Sequence, residues 1–201
     1  MKKLTLQKIA NQIKLSDTIS SIIASDGFSN SFGITDGLGY GGISPIGDNI
    51  NWSQVVGTFV TTGNVLKPSS ATNTLAVIDS GVTDHEIEFY LNLTGSNKIL
   101  SFVRYTDTSN HLKVQVHANR TIKITKLVGG VATDFSTTSY PDETDLMVTV
   151  TCIGSELTVK INGNTIKTET LVDSILLSAT SVGVNMNDTT TYIDNFNVIR
   201  K

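Results

Sequence analysis

From Asp26 to the C-terminus the chain alternates apolar and polar residues with a period of two. Ile87, Phe89, Leu91 and Leu93 alternate with Glu88, Tyr90 and Asn92. Leu112, Val114 and Val116 alternate with His111, Lys113, Gln115 and His117. The pattern returns at Leu146, Val148, Val150 and Cys152, and again at Leu157, Val159 and Ile161. Successive side chains of a strand point to opposite faces, so this period predicts half-buried strands with one face on a core. Turn signals fall between the runs. Thr62-Gly63-Asn64, Gly129-Gly130, Ile153-Gly154-Ser155 and Asn162-Gly163-Asn164 all read as tight connections. Short strands at this spacing, with no helical pattern between them, predict an all-β sandwich or barrel.

The N-terminal residues follow another period. Residues 4–24 lack Gly and Pro, and Leu6, Ile9 and Ile13, then Leu15, Ile19, Ile22 and Ile23, recur at helical spacing. Ser16 and Asp17 are good N-caps, so two short helices are expected. Such helices are too short to be stable alone in water. Their stripe either docks on the chain's own β domain or serves as an anchor or oligomerisation segment. The second reading is favoured, because composition breaks at Ser25–Gly27. It assigns Leu6, Ile9, Ile13, Ile19, Ile22 and Ile23 to a stem, trimeric in preference to dimeric. The expected organisation is a helical segment over residues 1–25 and one β-sandwich over residues 26–201. The Gly-rich residues 29–51 are expected to cover one end of the sandwich.

Composition narrows the function. The 201 residues include one cysteine, Cys152, which excludes an internal disulfide framework and any multi-cysteine metal site. Charged residues make up 16% and the formal net charge is −3, so the chain lacks the basic footprint of a nucleic-acid binder. No segment has the length and apolarity of a membrane span, and no secretory signal follows Met1-Lys2-Lys3. A product assembled in the cytoplasm is therefore expected.

Several segments in order carry a family resemblance. Asp26-Gly27-Phe28-Ser29 precedes a Gly-rich loop; Trp52–Phe59 and the Thr62-Gly63-Asn64 turn follow. Then come Phe102–Asp107 with Asn110-His111, Lys126–Val131, Leu157–Gly163 and Tyr192–Phe196. Over residues 26–201 this order resembles the concanavalin A-like, laminin-G-like jelly rolls, most of all those attached to bacteriophage tail, baseplate and head-fibre proteins. The resemblance implies two antiparallel sheets in a curved sandwich, with glycan bound on a sheet face or loop rim in some members and a rim calcium in others. It also implies a virion setting: a head fibre, decoration protein or tail appendage that contacts other virion proteins through its N-terminal segment. The alternative is a stand-alone carbohydrate-binding lectin module, and a glycosidase is a third reading.

Pairing Tyr105 with His111 in a hairpin places Val103 opposite Lys113 and Ser101 opposite Gln115. Tyr105, His111, Lys113, Gln115 and His117 then share an outward face, while Phe102, Leu112, Val114 and Val116 face the core with Arg104 at their end. Aromatic rings stack on sugar faces and amides meet hydroxyls. Tyr90, Tyr105, His111, Gln115, His117 and Tyr40 are therefore the candidate carbohydrate-binding residues. An ordinary solvated face or a subunit interface would carry the same pattern. Trp52 reads either as an exposed platform or as core. Glu86 and Glu88 share a strand face, the arrangement a glycosidase would need, but lack acidic and Trp-rich surroundings. No Gly-x-Ser-x-Gly elbow occurs, and no catalytic residue is assigned. No cofactor and no metal ligand set are assigned, although Asp79, Asp84, Asp188 and Asp194 leave a rim calcium open.

Overall fold

The computed structural model describes residues 22–26, 52–63, 65–93, 98–141 and 145–201. They form sixteen strands and one short helix. In chain order the strands are β1 (Ile22–Asp26), β2 (Ser53–Val56), β3 (Phe59–Thr62), β4 (Val65–Pro68), β5 (Thr74–Asp79), β6 (His85–Asn92), β7 (Lys98–Asp107) and β8 (Asn110–His117). There follow β9 (Thr121–Val128), β10 (Val131–Asp134), β11 (Thr138–Ser139), β12 (Asp145–Ile153), β13 (Glu156–Ile161) and β14 (Asn164–Thr170). The helix α1 (Ser174–Leu177) precedes β15 (Ser181–Met186) and β16 (Tyr192–Arg200).

Two antiparallel sheets stack face to face. The first runs β14-β13-β12-β6-β16-β4-β3, with β1 also on β16. The second runs β10-β9-β8-β7-β15-β5-β2, with β11 also on β9. The core lies between them. Ile87, Phe89, Leu91, Leu146, Val148, Val150, Cys152, Leu157, Val159 and Ile161 enter from the first sheet, as their alternation predicts. Leu112, Val114, Val116, Ile122, Ile124, Val182 and Val184 meet them from the second. Trp52 is core: it packs on Phe196 with ring centroids 5.0 Å apart, and Phe196 continues onto Phe89 at 6.0 Å. The β13–β14 connection is the two-residue Asn162-Gly163 turn. Both residues have positive φ (49° and 81°), the geometry that matches the twist of the flanking strands.

The helix expectation needs correction over residues 22–25. Among the described residues the one helix is α1, four residues long and near the C-terminal end of the chain. Ile22 and Ile23 lie in β1, which pairs with β16 from Ile22 opposite Ile199 to Asp26 opposite Phe196. A short apolar run suits either a helix or a strand, and here the open edge of β16 takes it as a strand. The expected stem residues Leu6, Ile9, Ile13 and Ile19 lie outside the described residues, as does the Gly-rich stretch with Tyr40.

A second departure sets up the site. Along β7 and β8, Ser101 pairs with Val114, Phe102 with Lys113, Arg104 with Leu112 and Tyr105 with His111. Val103 is extra. At this bulge Val103 and Arg104 both turn inward, and both are fully buried. Val103 joins the core. Arg104 reaches the end of the sandwich, where Nη1 donates to Leu176 O (3.3 Å) and Leu177 O (2.5 Å) and Nη2 to Gly154 O (3.0 Å). The Asp84 carboxylate lies 3.7 Å away and accepts the Gly154 N–H. A buried guanidinium is tolerated only with such partners. Phe102, expected on the core face, is moved by one register step to the outer face.

Candidate functional site

The outer face of the second sheet carries a groove of about 610 Å³. Its apolar floor is a small cluster separate from the main core: Leu75 and Val77 from β5, Phe102 and Tyr105 from β7. Gly183 on β15 sits between them, opposite Val77 on one side and Phe102 on the other. A Cβ there would stand 2.3 Å from Ala76 O and 2.9 Å from Val77 Cγ1, so the strands close up only around glycine.

Three rings form one wall. Phe102 meets Tyr105 edge-on (5.6 Å, 88°) and His111 edge-on (4.8 Å, 71°), while Tyr105 and His111 stack at 6.0 Å. Edge-to-face pairs at these separations hold rings in fixed orientation. His111 is 6% exposed, and its Nδ1 donates to Asp107 O at 3.2 Å. Its Nε2 is buried with no hydrogen-bond partner among the described residues. Burial, the largest influence, holds its pKa below the ordinary 6.5. Burial therefore favours the neutral ring, with Nε2 enclosed as an acceptor. The turn beneath it is braced. Asp107 accepts from Ser109 N–H and the Asn110 amide, and Asn110 in turn accepts Gly129 N–H from the next hairpin.

Amides form the opposite wall. Asn185, at the end of β15, donates through Nδ2 to Asn73 Oδ1 (2.8 Å) and Thr74 O (2.9 Å). This arrangement leaves Asn185 Oδ1 and Asn73 Nδ2 as an acceptor–donor pair beside the groove. Asn187 and Thr108 add polar atoms at the rim, and Lys98 and Lys113 line the floor's edge.

The candidate residues separate. Tyr105 and His111 meet in the groove. Gln115 shares their face but is buried outside it, donating to Thr125 Oγ1 at 2.8 Å; Thr125 in turn donates to Asp134. His117 pairs with Lys98 across the strands but does not line the groove. Tyr90, 48% exposed, lies on β6 in the other sheet, remote from the rest. The sequence reading places Phe102 on the core face, and Asn73, Asn185 and Asn187 are not among its candidates. Asn185 lies on β15 and Asn73 and Asn187 just outside strands, and a polar residue in sequence looks the same on a groove as in open solvent.

The other candidate chemistry is occupied. Glu86 pairs with Lys201 (2.9 Å) and accepts the Thr151 hydroxyl (2.8 Å). Cys152 is buried, and desolvation pushes its thiol pKa up to about 11. Among the described residues no three His, Cys, Asp or Glu side chains group to hold a metal ion.

No protein-family model matches the chain, and no curated protein matches it in sequence. Solved structures do match in shape. The carbohydrate-binding module CBM66 from Bacillus subtilis superimposes with a TM-score of 0.59 at 16% identity, over 74% of this chain and 94% of that one. The GH43 protein BlXynB from Bacillus licheniformis gives 0.64 at 13% identity, over 88% of this chain and 39% of that one. Botulinum neurotoxin type C, whose cell entry depends on two ganglioside molecules, gives 0.58 at 12% identity, over 92% of this chain and 49% of that one. The chain thus spans nearly all of the first and less than half of the other two. At these identities the likeness is one of fold: a lectin-like jelly-roll sandwich.

Proposed function

We propose that this chain is a non-catalytic carbohydrate-binding module, with its ligand in the groove on the outer face of the second sheet. One observation carries the reading: fixed aromatic rings and an amide acceptor–donor pair converge on one groove. A pyranose or furanose ring presents an apolar C–H face and a rim of hydroxyls. The first suits Phe102 and Tyr105, and the second suits Asn73 and Asn185. The fold shared with CBM66 supports the same reading.

The test is a glycan screen with the full chain, followed by titration calorimetry on the best binder. Tyr105→Ala and Asn185→Ala are expected to lower affinity at least tenfold, and Tyr90→Ala to leave it unchanged. Binding that survives the first two variants and is lost in the third would move the site to the other sheet. Display of the module on a virion is a finer proposal, supported by the bipartite sequence and the family resemblance. Its trimeric stem predicts a solution mass near three chains for the full protein and near one for residues 22–201.

A further inference from the structure

Lys98 and Lys113 both belong to the groove. On the outer face of β7 and β8, Lys98 is opposite His117, and Lys113 is opposite Phe102. Both are half-buried, and both line the groove. Neither makes an ion pair among the described residues, and no Asp or Glu lines the groove with them. Two acids of the neighbouring hairpins are already held. Asp134 pairs with Lys123 at 2.7 Å and accepts the Thr125 hydroxyl at 2.7 Å. Asp107 is turned into its own hairpin by Ser109 and Asn110. The chain as a whole carries a net charge of −3, so this pair of lysines runs against the sign of the protein.

We infer that the groove is built for an anionic saccharide, one bearing a carboxylate or sulfate, with Lys98 and Lys113 taking the acid group while the rings and amides take the sugar. The inference rests on the carbohydrate reading above and adds the class of ligand. Two half-desolvated ammonium groups near one another raise each other's energy, and an anion between them removes that cost. Burial, then Lys98, holds the Lys113 pKa below its usual value; Asp134 opposes this and Lys123 adds to it. A neutral sugar would offer neither ammonium a counter-charge. An anion recognised by charge alone would not need the ring wall and amide pair beside them.

The experiment titrates the full chain with a uronate tetrasaccharide, a sulfated disaccharide, their neutral counterparts and inorganic polyphosphate, at low and at high salt. The expected result is at least tenfold tighter binding of one or both acidic saccharides than of the neutral partner. That preference should shrink as salt rises. It should vanish in the Lys98→Gln/Lys113→Gln double variant and persist in Lys113→Arg. The salt series on the unaltered chain keeps the test valid should the double variant fold poorly. Equal affinity for acidic and neutral saccharides overturns this inference while leaving the carbohydrate site in place. Polyphosphate binding as tight as either acidic saccharide also overturns it, because charge alone then suffices. No binding to any saccharide overturns both readings.

Discussion

The Phe102 ring stands edge-on to the His111 imidazole, with centroids 4.8 Å apart and planes at 71°, because the bulge at Val103–Arg104 turns Phe102 out of the core. The pair fixes the wall of the groove and shields His111 from water. Phe102→Leu keeps most of the apolar volume but removes the ring contacts to Tyr105 and His111. We expect a loss of about 1 kcal/mol in stability, the usual worth of aromatic contacts beyond area. Urea denaturation measures it. The saccharide affinity should fall by a larger factor than this alone explains, since the ring is also a stacking surface.

Arg104 ties two distant segments to β7: α1 through the carbonyls of Leu176 and Leu177, and the β12–β13 turn through that of Gly154. Arg104→Met fits the space in length but leaves those acceptors buried without donors. The cost should be about 3 kcal/mol or more. Amide hydrogen exchange should show α1 and the Gly154 turn opening first. Protection there equal to the unaltered chain would show that the guanidinium does not hold them.

Gly183→Ala tests the closeness of β15 to β5. The added methyl would sit 2.3 Å from a backbone carbonyl, which cannot rotate away. Strand separation must grow, at a cost of about 2 kcal/mol. The groove floor should widen with it, so saccharide affinity and thermal midpoint are expected to fall together.

Acid should weaken the fold before its carboxylates titrate. His85, buried with Nε2 donating to Val103 O at 2.7 Å, has its pKa lowered from 6.5 mainly by desolvation. Burial likewise lowers His111 and His117. A histidine depressed in the folded state binds its proton more readily when unfolded, so the unfolded chain holds more protons below pH 6.5. Stability should therefore be constant with respect to these groups above about pH 7 and decline as pH falls through 6.5 toward the folded values. Denaturation midpoints at pH 7.5 and 5.5 read the slope, and NMR titration of the three rings should give midpoints below 6.5. Midpoints above 6.5 would reverse the sign.

The chain's own alternation determined the strands and their inward residues. Ile87, Phe89 and Leu91, or Leu146, Val148 and Val150, point inward because successive side chains of any strand must face opposite ways. The Asn162-Gly163 turn was equally local, since two adjacent positive-φ residues suffice to close a hairpin. What tertiary structure alone decided lies at the Val103–Arg104 bulge. Phe102-Val103-Arg104-Tyr105 reads as well with Phe102 inward as outward. The choice rests on acceptors that lie 50 to 73 residues further along the chain, which receive the Arg104 guanidinium. The fate of Ile22 and Ile23 was settled in the same way, by a free edge on β16 that no local pattern announces. The groove joins β5, β7, β8 and β15, so Asn73, Asn185, Phe102 and Lys98 become one site only when the sheet assembles them. Periodicity reports which face a residue occupies; which neighbours share that face is set by strand order and register, and those are long-range properties.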